Sequence, residues 1–146
     1  MVNEQNDSQL VSDLRTVVGR LIKKLRTKSE TGAKLSLTER STLALLDLHK
    51  ELLPSELAGM EKITTQSMSQ VLNHLLSLGY INRRISKTDK RKSIITLTKT
   101  GQSTLYKVRN ERDEWLSKAL AETCTSKEKE ILSRAIVPLT KLVDFD

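Results

Sequence analysis

The stretch from Lys62 to Gly101 decides the fold, and it reads KITTQSMSQVLNHLLSLGYINRRISKTDKRKSIITLTKTG. From Thr64 to Leu78 it holds no Lys, Arg, Asp or Glu, while its apolar residues recur every three or four positions. That spacing predicts a helix with one buried face and one uncharged polar face. The residues from Arg83 to Lys92 then carry six bases and one acid, a net charge of +5. A polar helix beside a cationic loop suits a polyanion whose surface has hydrogen-bonding edges, as duplex DNA does.

Further helices and one hairpin are predicted around this stretch. Apolar spacing and capping residues favour helices over about 8–28, 38–49, 64–78, 98–122 and 125–143, with a short one beginning at Pro54. We expect the short helix to bury Met60, the helix over 64–78 to bury Leu78, and Pro138 to kink the last helix or end it early. The β-branched segments 80–85 and 93–97 flank the charged loop and predict a hairpin. The predicted fold is mainly α, a winged helix-turn-helix with about six helices and a two-stranded β-wing.

The chain is predicted to form a single domain over residues 1–146, built from two parts. Residues 36–101 form a winged-helix lobe that would bind DNA. Residues 1–30 and 102–146 supply amphipathic terminal helices that a compact winged helix does not need, and we expect them to pack against a second copy as a dimerisation region. The candidate interface residues are Leu10, Leu14, Val17, Leu21, Trp115, Leu116, Leu120, Ile131, Leu139 and Leu142.

Composition narrows the class of protein further. Leu occurs 24 times while Phe, Trp and Tyr total four, which favours an aliphatic core built by helices. The net charge of +7 is compatible with nucleic-acid binding and equally with a merely soluble basic protein. The polar start of the chain is not expected to be a signal peptide, and no apolar run is long enough to span a membrane. With a single cysteine, the expected location is cytoplasmic.

Several motifs stand in a fixed order along the chain. They are Leu57-Ala58, Glu61, the polar helix of 64–79, Arg84, Asp89-Lys-Arg91, Leu97-Thr98-x-x-Gly101 and Arg109-x-x-Arg112-x-x-Trp115-Leu116. Together they resemble the MarR family of bacterial transcription regulators over residues 8–143. The Asp-x-Arg wing followed by Leu-Thr-x-x-Gly is the most specific part of the resemblance.

The resemblance implies a homodimer that presents two winged helices to a palindromic operator on double-stranded DNA, most often as a repressor. The helix over 64–78 would lie in the major groove and the wing, residues 86–92, at the minor groove, with Arg91 reaching inward and Asp89 bracing it. A small-molecule effector, often phenolic, would bind between the lobe and the terminal helices. Family members often carry Arg on the recognition helix, where this chain has Thr65 and Gln70.

The residue types themselves indicate how DNA could be bound. Gln66, Gln70 and Asn73 can each pair with adenine N6 and N7, which predicts half-sites rich in A·T pairs. An ordinary solvated face would carry Lys and Glu, which this helix lacks. The wing cations suit phosphates and a narrow minor groove, whereas Arg84 could contact a phosphate or neutralise a neighbouring carboxylate. The candidate DNA-binding residues are Ser55, Thr64, Thr65, Gln66, Ser67, Ser69, Gln70, Asn73, Arg84, Lys87, Asp89, Lys90, Arg91 and Lys92.

Other chemistries find little support in the sequence. His49, His74 and Cys124 are the candidate soft metal ligands and stand far apart, so no metal site is predicted. Without a phosphate-binding loop, a nucleophile elbow or a His-based pair, we predict neither a catalytic site nor a cofactor, and the protein is not expected to be an enzyme. Two alternatives stay open: a winged helix that docks proteins or RNA, and a redox-responsive regulator that acts through Cys124.

Overall fold

The computed structural model describes residues 4–146 apart from the side chain of Gln5, so the first three residues of the polar N-terminal segment lie outside the described range. The helices are α1 (Glu4–Arg26), α2 (Glu30–Ala33), α3 (Leu37–His49), α4 (Pro54–Glu61), α5 (Thr65–Ser77), α6 (Lys99–Thr123) and α7 (Ser126–Val143). One antiparallel sheet, in the order β1-β3-β2, contains β1 (Glu51–Leu52), β2 (Ile81–Ile85) and β3 (Ser93–Leu97). The predicted fold class, a mainly α winged helix-turn-helix, is confirmed.

Two short elements add to those predicted, giving seven helices and three strands in the described range. α2 is a single turn at the predicted break, and the Ser29 hydroxyl accepts a hydrogen bond from the Gly32 amide at 3.1 Å. β1 pairs with β3, and Leu52 lies opposite Ile95. The expectation of about six helices and a two-stranded sheet is therefore incomplete, because elements of two to four residues have no periodic pattern.

Side-chain caps determine where the long helices begin. At α3 and α7, the hydroxyls of Ser36 and Thr125 accept hydrogen bonds from amides three residues ahead, and glutamates at those positions complete two capping boxes. The hydroxyls of Thr64 and Thr98 cap α5 and α6 in the same way, without the glutamate. Losing one such cap typically costs about 1 kcal/mol. Because caps are local, these boundaries follow from the sequence closely.

The hydrophobic core lies inside the winged-helix lobe. Seven side chains from three helices and the middle strand are essentially inaccessible to water: Leu43, Leu46, Leu57, Met68, Leu72, Leu75 and Ile95. Burying one such side chain contributes roughly 1.5–3 kcal/mol. Met60 and Leu78, which we expected in the core, are instead exposed. Both lie where a helix ends and the chain turns away, so their side chains pass the edge of the core.

The start of α6 is fixed against the segment that links α5 to β2. The Thr98 amide donates to the Tyr80 carbonyl at 3.0 Å, and the Thr98 hydroxyl donates to the Gly79 carbonyl at 2.7 Å. A Cβ atom on Gly101 would lie 2.0 Å from the Tyr80 oxygen, so glycine is required there. Gly79 has a φ of 76°, a conformation that suits glycine and ends α5. The helix α5, the hairpin and α6 therefore meet at one closely packed junction.

The terminal helices expose apolar side chains. α7, which is described in full, contains no buried residue and continues through Pro138 to Val143. Of the two effects expected of Pro138, an early end of the helix is therefore wrong. Proline removes one helical hydrogen bond, and the turns on either side maintain the helix. The large exposed apolar residues of α1 and α7 are Leu10, Val11, Val17, Val18, Leu21, Ile22, Ile131, Leu132, Ile136, Val137, Leu142 and Val143. None of the helices found in residues 4–146 is long and apolar enough to cross a lipid bilayer.

Candidate nucleic-acid interface

α5 presents a continuous polar face to solvent. On its opposite face, Met68, Leu72 and Leu75 are fully buried and hold the helix against the core. The predicted contact residues on the helix are all exposed: Thr65, Gln66, Ser67, Ser69, Gln70 and Asn73. The structure therefore brings this predicted set together on one surface, while their contact with DNA stays a prediction.

The hydroxyl and amide groups on this face differ in their hydrogen bonding. The Thr64 hydroxyl donates to the Ser67 hydroxyl at 2.9 Å, and the Ser69 hydroxyl donates to the Thr65 carbonyl at 3.0 Å. Three exposed side-chain amides make no hydrogen bond to any described residue: Gln66, Gln70 and Asn73. Those amides keep two donors and one acceptor oxygen each for a partner.

A tight turn joins α4 to α5. Lys62 adopts the left-handed conformation with a φ of 54°, and its amide donates to the Gly59 carbonyl at 3.2 Å. The next amide, that of Ile63, donates to the Ala58 carbonyl at 3.0 Å. The chain thereby reverses direction within two residues, which places α4 against α5 as a helix-turn-helix. Ser55, the predicted contact on α4, lies exposed in the first turn of that helix.

The wing holds one arginine in a fixed arrangement. Asp89 Oδ1 accepts hydrogen bonds from the Arg91 amide at 3.0 Å and from Arg91 Nε at 3.1 Å, and Oδ2 accepts from Nη2 at 3.2 Å. The side chain of Arg91, followed by its backbone amide, lowers the pKa of Asp89 from its ordinary value. The Arg91 side chain is still 90% exposed. The contact that the resemblance implies between these two residues is present, and the minor-groove contact stays a prediction.

The remaining wing cations fall into two groups. Lys87, Lys90 and Lys92 are exposed at the tip, around the buried Ser86. Arg84 lies on β2 and forms an ion pair with Glu51 of β1. Of the two roles that the sequence allowed for Arg84, the structure shows the neutralisation of a neighbouring carboxylate.

A side-chain contact that the sequence did not predict ties α5 to α3. His74 Nδ1 contacts the carboxylate of Glu39, whose side chain is buried while the imidazole is half-exposed. Burial opposes ionisation of Glu39, but the Ser36 amide and His74 outweigh it and hold the pKa of Glu39 below its usual value. The two residues are 35 positions apart. No local spacing signals such a pair.

An open cavity of about 290 Å³ lies where α1, α3 and α6 meet. Its lining consists of Ile22, Leu25, Leu37, Arg40, Ser41, Ala44, Leu105, Arg109 and Arg112. Arg40 is 8% exposed, and its Nε has no hydrogen-bond partner within the described part of the chain. Burial, then the charges of Arg112 and Arg26, lower the pKa of Arg40. The sequence contains one signal of this buried charge. Arg40 lies three residues before the buried Leu43, so both side chains lie on the inner face of α3.

The predicted interface residues of the terminal helices divide by exposure. Five are exposed: Leu10, Val17, Leu21, Ile131 and Leu142. Five are half-buried within their own chain: Leu14, Trp115, Leu116, Leu120 and Leu139. The ammonium of Lys28 lies 5.3 Å from the centre of the Trp115 ring. Cys124 ends α6, is half-buried, and has its thiol 3.7 Å from the Thr123 hydroxyl.

The elements from α3 to β3 define the class of protein, a winged helix-turn-helix with long terminal helices. A model of the MarR family matches residues 35–93. A helix-turn-helix-type transcriptional regulator of Mycobacterium bovis is 31% identical over 139 residues, which cover 95% of this chain and 96% of the relative. A regulator of the same type from Mycobacterium leprae is 30% identical over the same length and shares of the two chains. The chain belongs to the MarR family of helix-turn-helix transcriptional regulators.

Solved structures share this fold over nearly the whole chain. A Pseudomonas aeruginosa protein described as a candidate transcriptional regulator is 29% identical, covers 96% of this chain and 98% of that one, and has a TM-score of 0.82. A MarR family protein from Bacillus stearothermophilus has a TM-score of 0.83 at 18% identity, with coverage of 99% and 100%. A mutant of MepR from S. aureus, bound to an oligodeoxyribonucleotide, has a TM-score of 0.69 at 20% identity, with coverage of 92% and 98%.

Proposed function

We propose that this protein is a homodimer that binds a palindromic operator in the bacterial cytoplasm and represses the adjacent genes. The observation that carries the proposal is the presence in one lobe of an exposed, uncharged polar face on α5 and an exposed cationic wing. α5 would lie in the major groove, where side chains reach the base edges. Arg91 would enter the neighbouring minor groove, and a dimer bound at a promoter would exclude the polymerase.

The ordered arrangement of Arg91 in the wing favours a contact between the wing cations and DNA. Asp89 holds the guanidinium of Arg91 by two side-chain hydrogen bonds before any partner arrives. A side chain that is already ordered loses less entropy on binding. Three further lysines at the same tip suit phosphate contacts, which position a protein on the duplex. Support also comes from MepR, a protein of the same fold that has been crystallised with an oligodeoxyribonucleotide.

The terminal helices favour a dimer. Monomeric soluble proteins rarely expose large contiguous apolar patches, and such patches typically mark interaction surfaces. α1 and α7 each expose six large apolar side chains along their length. A second copy of the chain would cover them with an equivalent surface. Two recognition helices related by a two-fold axis would then match a palindrome.

DNA binding can be tested by fluorescence anisotropy with a duplex from the promoter next to the protein's own gene. The affinity should fall steeply as salt rises, because cations released from the phosphates drive binding. Arg91→Ala should weaken binding at least tenfold and reduce the salt slope by about two, because the dimer loses one cation from each subunit. Lys129→Ala, an equal loss of charge on exposed α7, should leave binding unchanged. The absence of any salt-sensitive specific complex would contradict the proposal.

We further propose that the cavity between α1, α3 and α6 holds an acidic effector that releases the protein from DNA. The buried guanidinium of Arg40 has a free Nε and lies close enough to Arg112 for their charges to repel. An anion would relieve that repulsion and accept the free hydrogen bond. The apolar part of the lining suits the hydrocarbon part of a small carboxylic acid. A ligand that binds better to one arrangement of the three helices would shift their population and so alter DNA affinity.

Benzoate is a suitable probe for this cavity. Calorimetric titration should detect benzoate binding to the wild-type protein, and added benzoate should weaken its complex with the duplex. Arg40→Gln should lose both effects, while Arg15→Gln on the exposed part of α1 should keep them. Equal responses of the two variants to benzoate would exclude Arg40 as the anion-binding group.

A further inference from the structure

We infer that three side-chain amides determine the operator sequence, and that each contacts an A·T pair in the major groove. These residues are Gln66, Gln70 and Asn73. The inference rests on the proposed function, since it assumes that α5 enters the groove. It goes beyond that function by naming the bases contacted and the side chains that select them.

The geometry of α5 places the three amides in one narrow row. With 100° between successive helix residues, Gln66, Gln70 and Asn73 fall within about 60° of one another around the axis. Met68, Leu72 and Leu75 occupy the opposite side and are fully buried. The row therefore points directly away from the core.

The length of the row fixes how many base pairs it can reach. Asn73 lies seven positions after Gln66, which corresponds to about 10 Å along the helix axis. Successive base pairs are about 3.4 Å apart, so the row spans roughly three base-pair steps. Each half-site should thus contain a segment of about four base pairs within reach of the three amides.

Hydrogen bonding within the helix separates these amides from the hydroxyls beside them. Ser67 accepts a hydrogen bond from Thr64, and Ser69 donates to the carbonyl of Thr65. The three amides, by contrast, have no partner in residues 4–146 and are exposed. The hydroxyls are partly satisfied by the helix itself, whereas the amides need an external partner for their full hydrogen-bonding capacity.

The chemistry of an amide favours adenine over guanine. The amide of Asn or Gln donates one hydrogen bond and accepts another, which matches N7 and the N6 amino group of adenine. Guanine presents two acceptors at the same edge and is matched by Arg or Lys, and α5 contains neither. A well-placed bidentate contact discriminates against the wrong base by roughly 5- to 150-fold.

His74 also lies on α5, but it contacts another helix and is not one of the proposed base-contacting residues. Its Nδ1 contacts the buried carboxylate of Glu39 on α3. This contact ties the last turn of α5 to α3. The base contacts are left to the amide row.

The test begins with selection of bound duplexes from a random pool by the full-length protein. We expect at least two A·T pairs within a four-pair segment of each half-site. Replacing the contacted adenines one at a time with 7-deazaadenine removes the N7 acceptor and keeps the base pair. This replacement should weaken wild-type binding about tenfold at one position for each amide.

Variants then assign each position to a side chain. Gln70→Ala should bind more weakly and become insensitive to 7-deazaadenine at one position only, and Gln66→Ala at another. Asn110→Ala is the matched control, because it removes an exposed side-chain amide from α6 instead of α5, and it should keep the wild-type sensitivity at every position.

The possible results distinguish a failure of the amide contacts from a failure of DNA binding itself, which is the proposed function. Enriched half-sites dominated by G·C pairs, or 7-deazaadenine without effect on wild-type binding, would overturn the amide contacts and leave DNA binding intact. A pool with no enriched sequence would overturn both.

Discussion

The winged-helix lobe and the terminal helices bury their apolar residues to very different extents. In the lobe, residues such as Leu46, Leu57 and Leu72 are completely inaccessible to water within a single chain. In α7, whose whole length is described, no residue is buried, and Val17 and Leu10 of α1 are more than half exposed. The core of the lobe is therefore completed within a single chain, with Leu35 and, from α6, Leu105 added to the lobe's own residues. The terminal helices have amphipathic sequences whose apolar faces need a further surface.

The largest effect on dimer formation should come from charging the exposed face of α1. Val17→Glu would place a carboxylate in each half of the proposed dimer interface, and burying an unpaired charge costs several kcal/mol. We expect the dissociation constant of the dimer to rise at least roughly hundredfold, which corresponds to about 2.7 kcal/mol. Sedimentation equilibrium would measure the change. Operator affinity should fall in parallel.

A neighbouring residue provides the control for this change. Thr16 lies on the opposite side of α1 from the apolar stripe, so Thr16→Glu adds the same charge without entering the interface. It should leave the dimer intact. If the two variants dissociated equally, or neither did, the apolar face of α1 would not be the dimer contact.

A second contrast compares two glycines, one in each region. Gly101→Ala would force a methyl group against the Tyr80 carbonyl, and we expect a loss of about 3 kcal/mol in the free energy of unfolding. Gly19→Ala lies in α1, with no described atom within 4 Å of the new Cβ, and should stabilise the protein by about 0.5–1 kcal/mol through helix propensity. Urea denaturation measures both. A Gly101→Ala variant as stable as the wild type would contradict the close packing at Gly101, and a destabilised Gly19→Ala would contradict the open surroundings of Gly19.

The smallest effect concerns the contact between Glu39 and His74 inside the lobe. The pKa of Glu39 is lower in the folded protein than in the unfolded chain, so its contribution to stability is complete above the unfolded value and is lost as pH falls through the folded one. Glu39→Gln should cost about 1 kcal/mol at pH 7, the net value of a hydrogen bond. The difference between variant and wild type should shrink as pH falls below about 4.3. Urea titrations at neutral and acidic pH test this, and a constant difference would contradict it.

Local signals in the sequence predicted most of the fold. The capping box at Ser36, the cap at Thr64 and the stop at Gly79 act within a few residues, so α3 and α5 begin and end close to the predicted positions. The two residues of β1 became a strand only because β3 lies beside them. Leu78 is apolar at a helical spacing, yet its exposure depends on where the core ends in space.

In the candidate interface, too, features set by local sequence could be predicted and features set by packing could not. The amide row and the basic wing are continuous in sequence, so they could be predicted, and the Asp89–Arg91 contact spans only two residues. The cavity at Arg40 needs three helices that are distant along the chain. Neither that cavity nor the contact between Glu39 and His74 could be found from spacing, because both arise from packing.

Because α6 is long and is held at one end by the contacts at Tyr80 and Gly101, a small tilt of the helix displaces that end by a large distance. α6 contains 25 residues and is therefore about 37 Å long. One end is hydrogen-bonded to the segment between α5 and β2, and the other reaches the region of Leu116 and Leu120. A tilt of about 5° over that length displaces the hydrogen-bonded end by about 3 Å, close to the rise of one base pair. Substitutions at the far end of α6 could therefore retune the operator spacing while every DNA-facing side chain stays the same.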